Sequence, residues 1–302
     1  MIVNIIDVPI DLGADERGVS LGPTAIRMAG LEDKLQTLGF KIAEEPTYPL
    51  FIPRRHAELG QQDTKYLSSI LEISLSLREK VYRSKKNGEF PIILGGDHSL
   101  ALGSISGLSQ YYLEKNQSLG VIWIDAHGDY NTPQTTPSGN LHGMPLAILN
   151  GLGDERFSQL VQPGKPVLEA TKTVLFAIRD LDPGEKELIK SQPVTAITMM
   201  QIDQMGIDAS LKIALQRLHT CDAIHVSFDI DSLDPSIAPG VGTPVLGGLT
   251  YREAHYIMET LSETKKVGSL DLVEVNPLLD HKNQTAKMAV ELLGSLLGSR
   301  IL

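Results

Sequence analysis

Residues 119–131, LGVIWIDAHGDYN, join an unbroken apolar run to a strip of polar side chains. The run LGVIWI is typical of a strand that helices cover on both faces. Asp125, His127 and Asp129 then occupy every second position. Because alternate side chains of an extended segment leave the same face, roughly 6 to 7 Å apart, these three can address one point. The stretch therefore predicts a buried strand that ends in a site for a proton, a cation or a substrate.

Short apolar runs rich in β-branched residues recur along the chain. They predict eight strands, at residues 3–8, 41–45, 90–95, 120–125, 173–178, 194–199, 223–229 and 267–275. Between them apolar residues recur at steps of three and four, from Leu67 to Val81 and again from Ala286 to Leu297. Thr250 and Glu253 form a capping box that opens another helix. This alternation predicts an α/β fold with a largely parallel sheet and helices on both sides.

Length and composition limit the class of protein. The chain has 302 residues, 42% of them apolar, and we find no linker, repeat or low-complexity segment, so we expect a single domain over residues 1–302. With 37 acidic against 27 basic residues and a formal charge of −10, nucleic acid is a poor candidate partner. A small cation or a cationic substrate fits this balance better.

The single cysteine and the N-terminus indicate where the protein works. Cys221 stands alone, so intrachain disulfides and thiolate metal clusters are excluded, and we expect it to be a buried small apolar residue. The opening MIVNIIDVPIDLG lacks a basic region before its apolar run, which indicates a first strand rather than a signal peptide. No apolar stretch approaches membrane length. We therefore expect a cytoplasmic protein with no membrane partner.

Polar bursts follow three of the predicted strands. The segments GGDHS, DAHGD and SFDIDSLDP contribute the side chains of Asp97 and His98, then Asp125, His127 and Asp129, then Asp229, Asp231 and Asp234. Any one burst is explained equally well by a turn or a helix cap. The carboxyl ends of parallel strands, however, share one edge of a sheet, where ligands bind. Carboxylates gathered there repel one another without a counter-cation, so the three bursts together predict a metal site.

The donors indicate the metal and the chemistry. Four carboxylates and two imidazoles are too many for one ion and enough for two: His98, Asp125, His127, Asp129, Asp229 and Asp231. This oxygen-rich set favours manganese over zinc, with iron and cobalt as alternatives. Two divalent ions roughly 3.5 to 4 Å apart can hold a bridging water and lower its pKa, which favours hydrolysis. Motifs for nucleotides or for a serine nucleophile are absent, and the remaining histidines are interpreted as structural or surface residues: His56, His219, His225, His255 and His281.

The three bursts together resemble the metal-binding motifs of the ureohydrolase family, which comprises arginases, agmatinases, formimidoylglutamases and guanidino acid hydrolases. The similarity extends from GVSLGPTAIR near the start to GLTYREAH and VEVNP near the end. It implies a three-layer α/β/α fold of the arginase/deacetylase type with a mainly parallel sheet of about eight strands. It also implies two Mn²⁺ ions per subunit, hydrolysis of a guanidinium group, and assembly as a homotrimer or homohexamer.

The segments NTPQTTPSGNLHGMP and RDLDPGE bear on the substrate. They are similar to those of the arginase branch, and SGNLHG is not expected in agmatinases, whose substrate lacks an α-carboxylate. The first segment offers neutral donors suited to a carboxylate, and the second offers acceptors suited to an ammonium group: Asn131, Thr136, Ser138 and Asn140, then Asp180, Asp182 and Glu185. An ordinary polar loop and an ordinary helix start explain the same residues. L-Arginine, hydrolysed to L-ornithine and urea, is the expected substrate, with agmatine or another guanidino compound as the alternative.

The resemblance also assigns roles residue by residue. The six candidate ligands hold the ions and a bridging hydroxide, and Asp129 holds that hydroxide and takes its proton. His142 resembles the family's proton shuttle, Glu274 pairs with the guanidinium group, and Thr243 lines the pocket on the metal side. Asp97 and Asp271 resemble residues that orient ligands. A non-catalytic binding protein on the same scaffold is a third hypothesis, which predicts the loss of a ligand or of the shuttle, and none is lost.

Overall fold

The computed structural model describes residues 1–43, 64–158, 160–162 and 164–300. Eight strands within these ranges form one sheet: β1 (Ile2–Val8), β2 (Lys41–Ile42), β3 (Phe90–Gly95), β4 (Leu119–Ile124), β5 (Thr173–Ile178), β6 (Thr195–Thr198), β7 (Ala223–Asp229) and β8 (Val267–Val273). The strand order is β2-β1-β3-β8-β7-β4-β5-β6, and every pair of neighbours is parallel. The predicted α/β fold with a parallel sheet of about eight strands is confirmed.

Helices cover both faces of this sheet. They are α1 (Gly22–Met28), α2 (Leu31–Thr37), α3 (Leu67–Lys86), α4 (Ala101–Glu114), α5 (Pro145–Leu149), α6 (Glu155–Ser158), α7 (Pro183–Ser191), α8 (Met199–Met205), α9 (Ile207–Arg217), α10 (Tyr251–Glu263) and α11 (Gln284–Leu296). One buried apolar cluster packs α1, α2 and α8–α11 on one face, and a second packs α3–α7 on the other. The architecture therefore has three layers.

Strand β4 shows why the apolar runs are unbroken. Val121 and Trp123 belong to the cluster on one face, while Ile122 and Ile124 belong to the cluster on the other, and none of the four is exposed. Every residue of a central strand is thus buried whichever way it points, so the sequence does not alternate between apolar and polar positions.

The bounds of β1, β4 and β6 differ from prediction by one residue at one or both ends, and those of β2 and β8 differ by more. Strand β2 covers Lys41–Ile42 only, and residues 44–45 of the predicted strand lie outside the described residues. Strand β8 ends at Val273 because Glu274, at φ 64°, turns the chain out of extended geometry. The predicted capping box is present, since Thr250 accepts the backbone N–H of Glu253 at the start of α10.

Two further expectations bear on the setting of the protein. Cys221 is buried, as predicted, and burial raises the pKa of its thiol. Across the part of the chain that the structure describes, no helix is long and apolar enough to cross a membrane. The cytoplasmic location stays a prediction.

Candidate metal centre and active site

The three polar bursts meet at one edge of the sheet. They follow β3, β4 and β7, which lie within the four adjacent strands β3-β8-β7-β4. Because all these strands are parallel, their carboxyl ends point to the same edge, and residues about 130 positions apart in sequence come into contact. The carboxylates of Asp125, Asp129, Asp229 and Asp231 are all buried there.

A first ligand group, defined as His98, Asp125 and Asp229, surrounds one imidazole nitrogen. His98 Nδ1 lies 3.1 Å from Asp125 Oδ2 and 3.2 Å from Asp229 Oδ2, and Asp129 Oδ2 is also 3.1 Å away. The nitrogen is buried and makes no hydrogen bond of acceptable geometry to any of them. On the opposite edge of the ring, Nε2 lies 2.8 Å from Ser227 Oγ. One unpartnered nitrogen aimed among three carboxylate oxygens is an arrangement that fits a bound cation.

A second ligand group, defined as Asp125, His127 and Asp231, lies beside the first. His127 Nδ1 is 3.0 Å from Asp231 Oδ2 and 3.4 Å from Asp125 Oδ1. In each group one ligand atom per residue can be chosen so that all lie within 4.8 Å of one another. Asp125 belongs to both groups, with one oxygen facing each, so the described residues contain two adjacent sets of metal-ligand type that share a carboxylate.

The electrostatics of the cluster reflect its crowding. Burial, followed by the charges of Asp231 and Asp125, raises the pKa of Asp229. Burial and then Asp125 raise the pKa of Asp129 to about 6. Burial disfavours the charged form of His98, but three surrounding carboxylates reverse the effect and raise its pKa well above the ordinary value. The carboxylates therefore repel one another and attract positive charge. Divalent cations that prefer oxygen ligands fit this set of donors.

Backbone groups fix the ligands in place. Asp129 adopts a left-handed conformation at φ 49°, and its carbonyl accepts the N–H of Leu146 at the start of α5. Asp229 Oδ1 accepts the N–H of Asp231, and Asp231 Oδ1 accepts the N–H of Ala126. Backbone N–H groups thus hold one oxygen of each carboxylate in the D-x-D pair of Asp229 and Asp231.

A cavity opens above the two ligand groups. It is lined by fourteen of the sixteen residues that the sequence predicts for the site, together with Gly143 and Leu181: His127, Asp129, Asn131, Thr136, Ser138, Asn140, His142, Asp180, Asp182, Glu185, Asp229, Asp231, Thr243 and Glu274. The other two, His98 and Asp125, are buried among the carboxylates of the cluster. Thr243 donates its hydroxyl hydrogen to Asp231 Oδ2 at 3.1 Å. The structure thus brings together every residue of the predicted set.

The acidic segment on one wall also begins a helix. Asp182 is the N-cap residue of α7, and its backbone N–H donates to Glu185 Oε2 at 3.2 Å. Glu185 Oε1 accepts the N–H of Tyr130 at 2.8 Å, and burial raises the pKa of this carboxyl to about 8. A Cβ at Gly128 would lie 2.7 Å from Glu185 Oε1, so a larger residue there would displace this carboxylate. The cap and the pocket wall are the same residues.

The opposite wall is a loop of neutral donors held by its own side chains. Asn131 donates to Asp182 Oδ2 at 2.9 Å, which ties the two walls together. Thr136 Oγ1 and Ser138 Oγ each accept a backbone N–H of the loop, from Gly139 and Asn140 respectively. Their hydroxyl hydrogens are thereby directed away from the loop backbone, toward groups that can accept them.

Asn140 is anchored from outside the predicted site. Its amide oxygen accepts a hydrogen bond from Lys65 at 2.9 Å, and its amide nitrogen donates to Asp15 at 3.1 Å. Lys65 and Asp15 also form an ion pair at 2.8 Å. Sequence reasoning missed this pair, because nothing near Lys65 or Asp15 in the chain points to residue 140.

His142 and Glu274 close the cavity beside the first ligand group. His142 Nδ1 lies 3.2 Å from Glu274 Oε1, and that oxygen also accepts the N–H of His98 at 2.9 Å. Burial disfavours charge on His142, but Glu274 overcomes it and raises the pKa of the imidazole to about 9. His142 also donates its backbone N–H to Gly13, whose own N–H is accepted by Asp97. Asp97 therefore holds the loop on which the imidazole rests.

Three residues near the centre were not singled out by the sequence. Trp123 stacks on His98, Ser227 contacts the far edge of the same ring, and Arg179 donates to the carbonyls of Asp231, Ser232, Leu233 and Val245. The available signal was the serine in the buried strand β7, whose sequence is AIHVSFD. In the sequence, nothing distinguishes Trp123 from the apolar core residues around it.

The other histidines lie apart from the cavity. His225 is buried between Ser269 Oγ, at 2.9 Å, and Asp271 Oδ2, at 3.2 Å, in the interior of the sheet. His255 is partly buried, His219 and His281 are exposed, and His56 lies outside the described residues. None of the four that the structure describes lines the cavity above the ligand groups.

Comparison with known proteins decides the family. The family model described as "Arginase family" matches residues 2–298. The chain is 43% identical to the arginase of Bacillus subtilis (strain 168) over 300 residues, covering 99% of each chain. The chain belongs to the arginase family. The prediction of a ureohydrolase-family hydrolase is thereby confirmed.

Solved arginase structures share the whole fold. A crystal structure of Bacillus subtilis arginase superposes with a TM-score of 0.93 at 43% identity, covering 100% of both chains. The arginase of Entamoeba histolytica, crystallised in complex with L-ornithine, superposes with a TM-score of 0.89 at 31% identity over 99% of both chains. This arginase-family chain therefore has the family's three-layer architecture across the residues that the structure describes.

Proposed function

We propose that this arginase-family chain hydrolyses L-arginine to L-ornithine and urea, with two Mn²⁺ ions held by the two ligand groups. The observation that carries the proposal is a single cavity that joins an acidic centre for cations to one wall of neutral donors and another of carboxylates. Relatives named arginases, at 42–44% identity over nearly the full chain, support the same substrate.

The two walls match the two ends of an amino-acid head group. Thr136 and Ser138 provide hydroxyl donors for the α-carboxylate. Asn131 is held in place by its hydrogen bond to Asp182. Asp180 and Asp182 provide acceptors for the α-ammonium group. Glu185 supports this wall from behind, since its two oxygens are occupied by backbone N–H groups.

The acidic centre provides the nucleophile. Two bound divalent ions supply an activated water at neutral pH, because they lower the pKa of water toward 7. Asp129, on the wall of the cavity, accepts the proton of the attacking water at its carboxylate. Glu274 turns a carboxylate oxygen toward the same space and pairs with the guanidinium group, which orients its carbon for attack.

His142 provides the proton for the departing amine. Its pKa of about 9 keeps the imidazole charged at neutral pH, so it can donate to the nitrogen that leaves as the ornithine side chain. The contact with Glu274 sets the orientation of the ring. The side chain of His142 is 18% exposed at the cavity edge, where it can exchange protons with solvent.

Initial rates of urea release test this function. Protein loaded with Mn²⁺ is expected to release urea from L-arginine far faster than from agmatine or a guanidino acid at equal concentration. A preference for agmatine would favour the alternative hydrolase of the same family and overturn the assignment.

The proposal has three further parts. We propose manganese as the native metal, assembly as a trimer or hexamer, and one domain over residues 1–302.

A further inference from the structure

Trp123 occupies an unusual position for a core residue. It is the only tryptophan in the chain, it is fully buried in β4, and it lies two residues before Asp125 on the same face of the strand. Its side chain therefore projects toward the acidic centre from below. Burial alone does not single out an indole, because the same apolar cluster also holds Phe157 and Leu175.

The indole ring holds one predicted metal ligand by its face. The rings of Trp123 and His98 are stacked, with centroids 3.9 Å apart and an angle of 12° between their planes. Ser227 contacts Nε2 of the same imidazole. The ring face and one edge are thus both restrained, and Nδ1 is left pointing at the carboxylates.

The indole N–H holds a second predicted ligand. Trp123 Nε1 donates to Asp125 Oδ2 at 2.9 Å, and this oxygen is the one that faces His98 Nδ1. The other oxygen, Oδ1, accepts the backbone N–H of His127 at 2.7 Å and faces the second ligand group. The two donors together set the rotation of the Asp125 carboxylate, with one oxygen directed to each group.

We propose that Trp123 is a positioning residue that sets the cation affinity of the first ligand group. It fixes the plane of His98, which belongs to the first group only, by stacking, and the rotation of the shared ligand Asp125 by hydrogen bonding. The inference rests on the proposed function, because it presupposes that both groups bind divalent cations. Groups that orient metal ligands typically change metal affinity tenfold to a hundredfold when removed.

The test measures Mn²⁺ binding to the metal-stripped full chain by isothermal titration calorimetry. Trp123→Phe keeps an aromatic ring and removes the N–H donor, and Trp123→Leu removes both contacts. Phe157→Leu is the matched control, since it truncates a buried aromatic side chain of the same cluster, on α6 rather than on a strand that ends at the ligand groups. We expect one of two binding steps to weaken about tenfold or more in Trp123→Phe and further in Trp123→Leu. The other step, which shares Asp125 but not His98, should weaken less, and both steps of Phe157→Leu should stay within about threefold of wild type.

The outcomes separate the two proposals. Wild type that binds two Mn²⁺ ions, with both steps unchanged in the folded Trp123 variants, overturns the positioning role and leaves the proposed function standing. Equal weakening of both steps, matched by Phe157→Leu, also overturns it, because that pattern reports a general loss of packing. Wild type that binds no Mn²⁺ overturns the metal centre and this inference with it.

A second measurement needs no substitution at Trp123. Since the chain has one tryptophan, its emission reports on the surroundings of His98 and Asp125. Mn²⁺ is expected to change this emission in wild type and in His127→Ala, which lacks a ligand of the second group. The change should be markedly smaller in Asp229→Ala, which lacks a ligand of the first. An emission change that is lost in His127→Ala and kept in Asp229→Ala contradicts the inference. Emission that does not respond to Mn²⁺ while calorimetry records binding also contradicts it.

Discussion

His142 Nδ1 lies 3.2 Å from Glu274 Oε1, and this carboxylate oxygen also accepts the backbone N–H of the predicted metal ligand His98. One oxygen thus joins the end of β8, the loop of residues 140–143 and the turn after β3. The arrangement fixes the imidazole at the cavity edge beside the acidic centre. It also keeps the imidazole protonated, since Glu274 overcomes the opposing effect of burial and raises its pKa to about 9.

His142→Asn is expected to lower kcat for L-arginine about a hundredfold and to change KM less than about threefold, because an amide cannot donate the proton that the leaving amine requires. In wild type the donor is present below pH 9 and is lost as the pH rises through that value. The variant should therefore lack the alkaline fall in kcat. His281→Asn, an exposed site, is the control. An alkaline fall in kcat that is still present in His142→Asn argues against the role of His142 as proton shuttle.

Asp129→Asn is expected to reduce kcat by at least about a thousandfold while the thermal unfolding temperature stays close to that of wild type. The amide keeps the size of the side chain but cannot take a proton from water. Asp203→Asn, exposed on α8, removes a carboxylate far from the cavity and should leave turnover unchanged. Steady-state rates and circular dichroism check both variants. Turnover preserved in Asp129→Asn contradicts the assigned role.

Ser138→Ala is expected to raise KM for L-arginine roughly tenfold, because a hydroxyl donor to a charged carboxylate is worth about 1.5 kcal/mol or more. The same change should leave kcat/KM for agmatine, which has no α-carboxylate, nearly unaltered. Ser191→Ala, at the exposed end of α7, serves as the control. Equal losses for the two substrates show that Ser138 supports the loop rather than the carboxylate.

Glu185→Gln tests the buried carboxyl behind the acidic wall. Burial raises the folded-state pKa of Glu185 to about 8, above its ordinary value of 4.5, so its contribution to stability is lost as the pH rises through this interval. In metal-stripped protein, the stability of the variant relative to wild type should improve by roughly 2 to 4 kcal/mol between pH 5 and pH 8. Urea unfolding measures the change, with exposed Glu187→Gln as the control. If the difference in unfolding free energy between Glu185→Gln and wild type does not vary with pH, the pKa of Glu185 is not raised.

Much of the fold was predictable because its physical signals are local. The run from Leu119 to Ile124 is apolar on both faces, which only a covered parallel strand explains well. The polar residues that follow β3, β4 and β7 converge because parallel strands end at a common edge, and the ligand groups follow from that topology. Strand ends were less predictable, as Glu274 shows, since its left-handed backbone depends on contacts with the rest of the site.

The supporting contacts of the site were not predictable, because they join residues far apart in sequence. Lys65 reaches Asn140 across 75 positions, and Arg179 reaches the carbonyls after β7 across more than 50. Trp123 was hidden in an apolar run, where its contacts with His98 and Asp125 leave no mark on the pattern. The sequence identifies residues whose chemistry is rare, and packing decides which common residues serve them.

The most direct test of the account is urea release from L-arginine measured while metal-stripped protein, at a concentration far above the dissociation constants, is titrated with Mn²⁺. The two ligand groups share Asp125 and together hold two ions, so the rate is expected to rise until two equivalents per chain and then remain constant. Full activity before any Mn²⁺ is added, or a plateau at one equivalent, would rule out a centre that needs two ions.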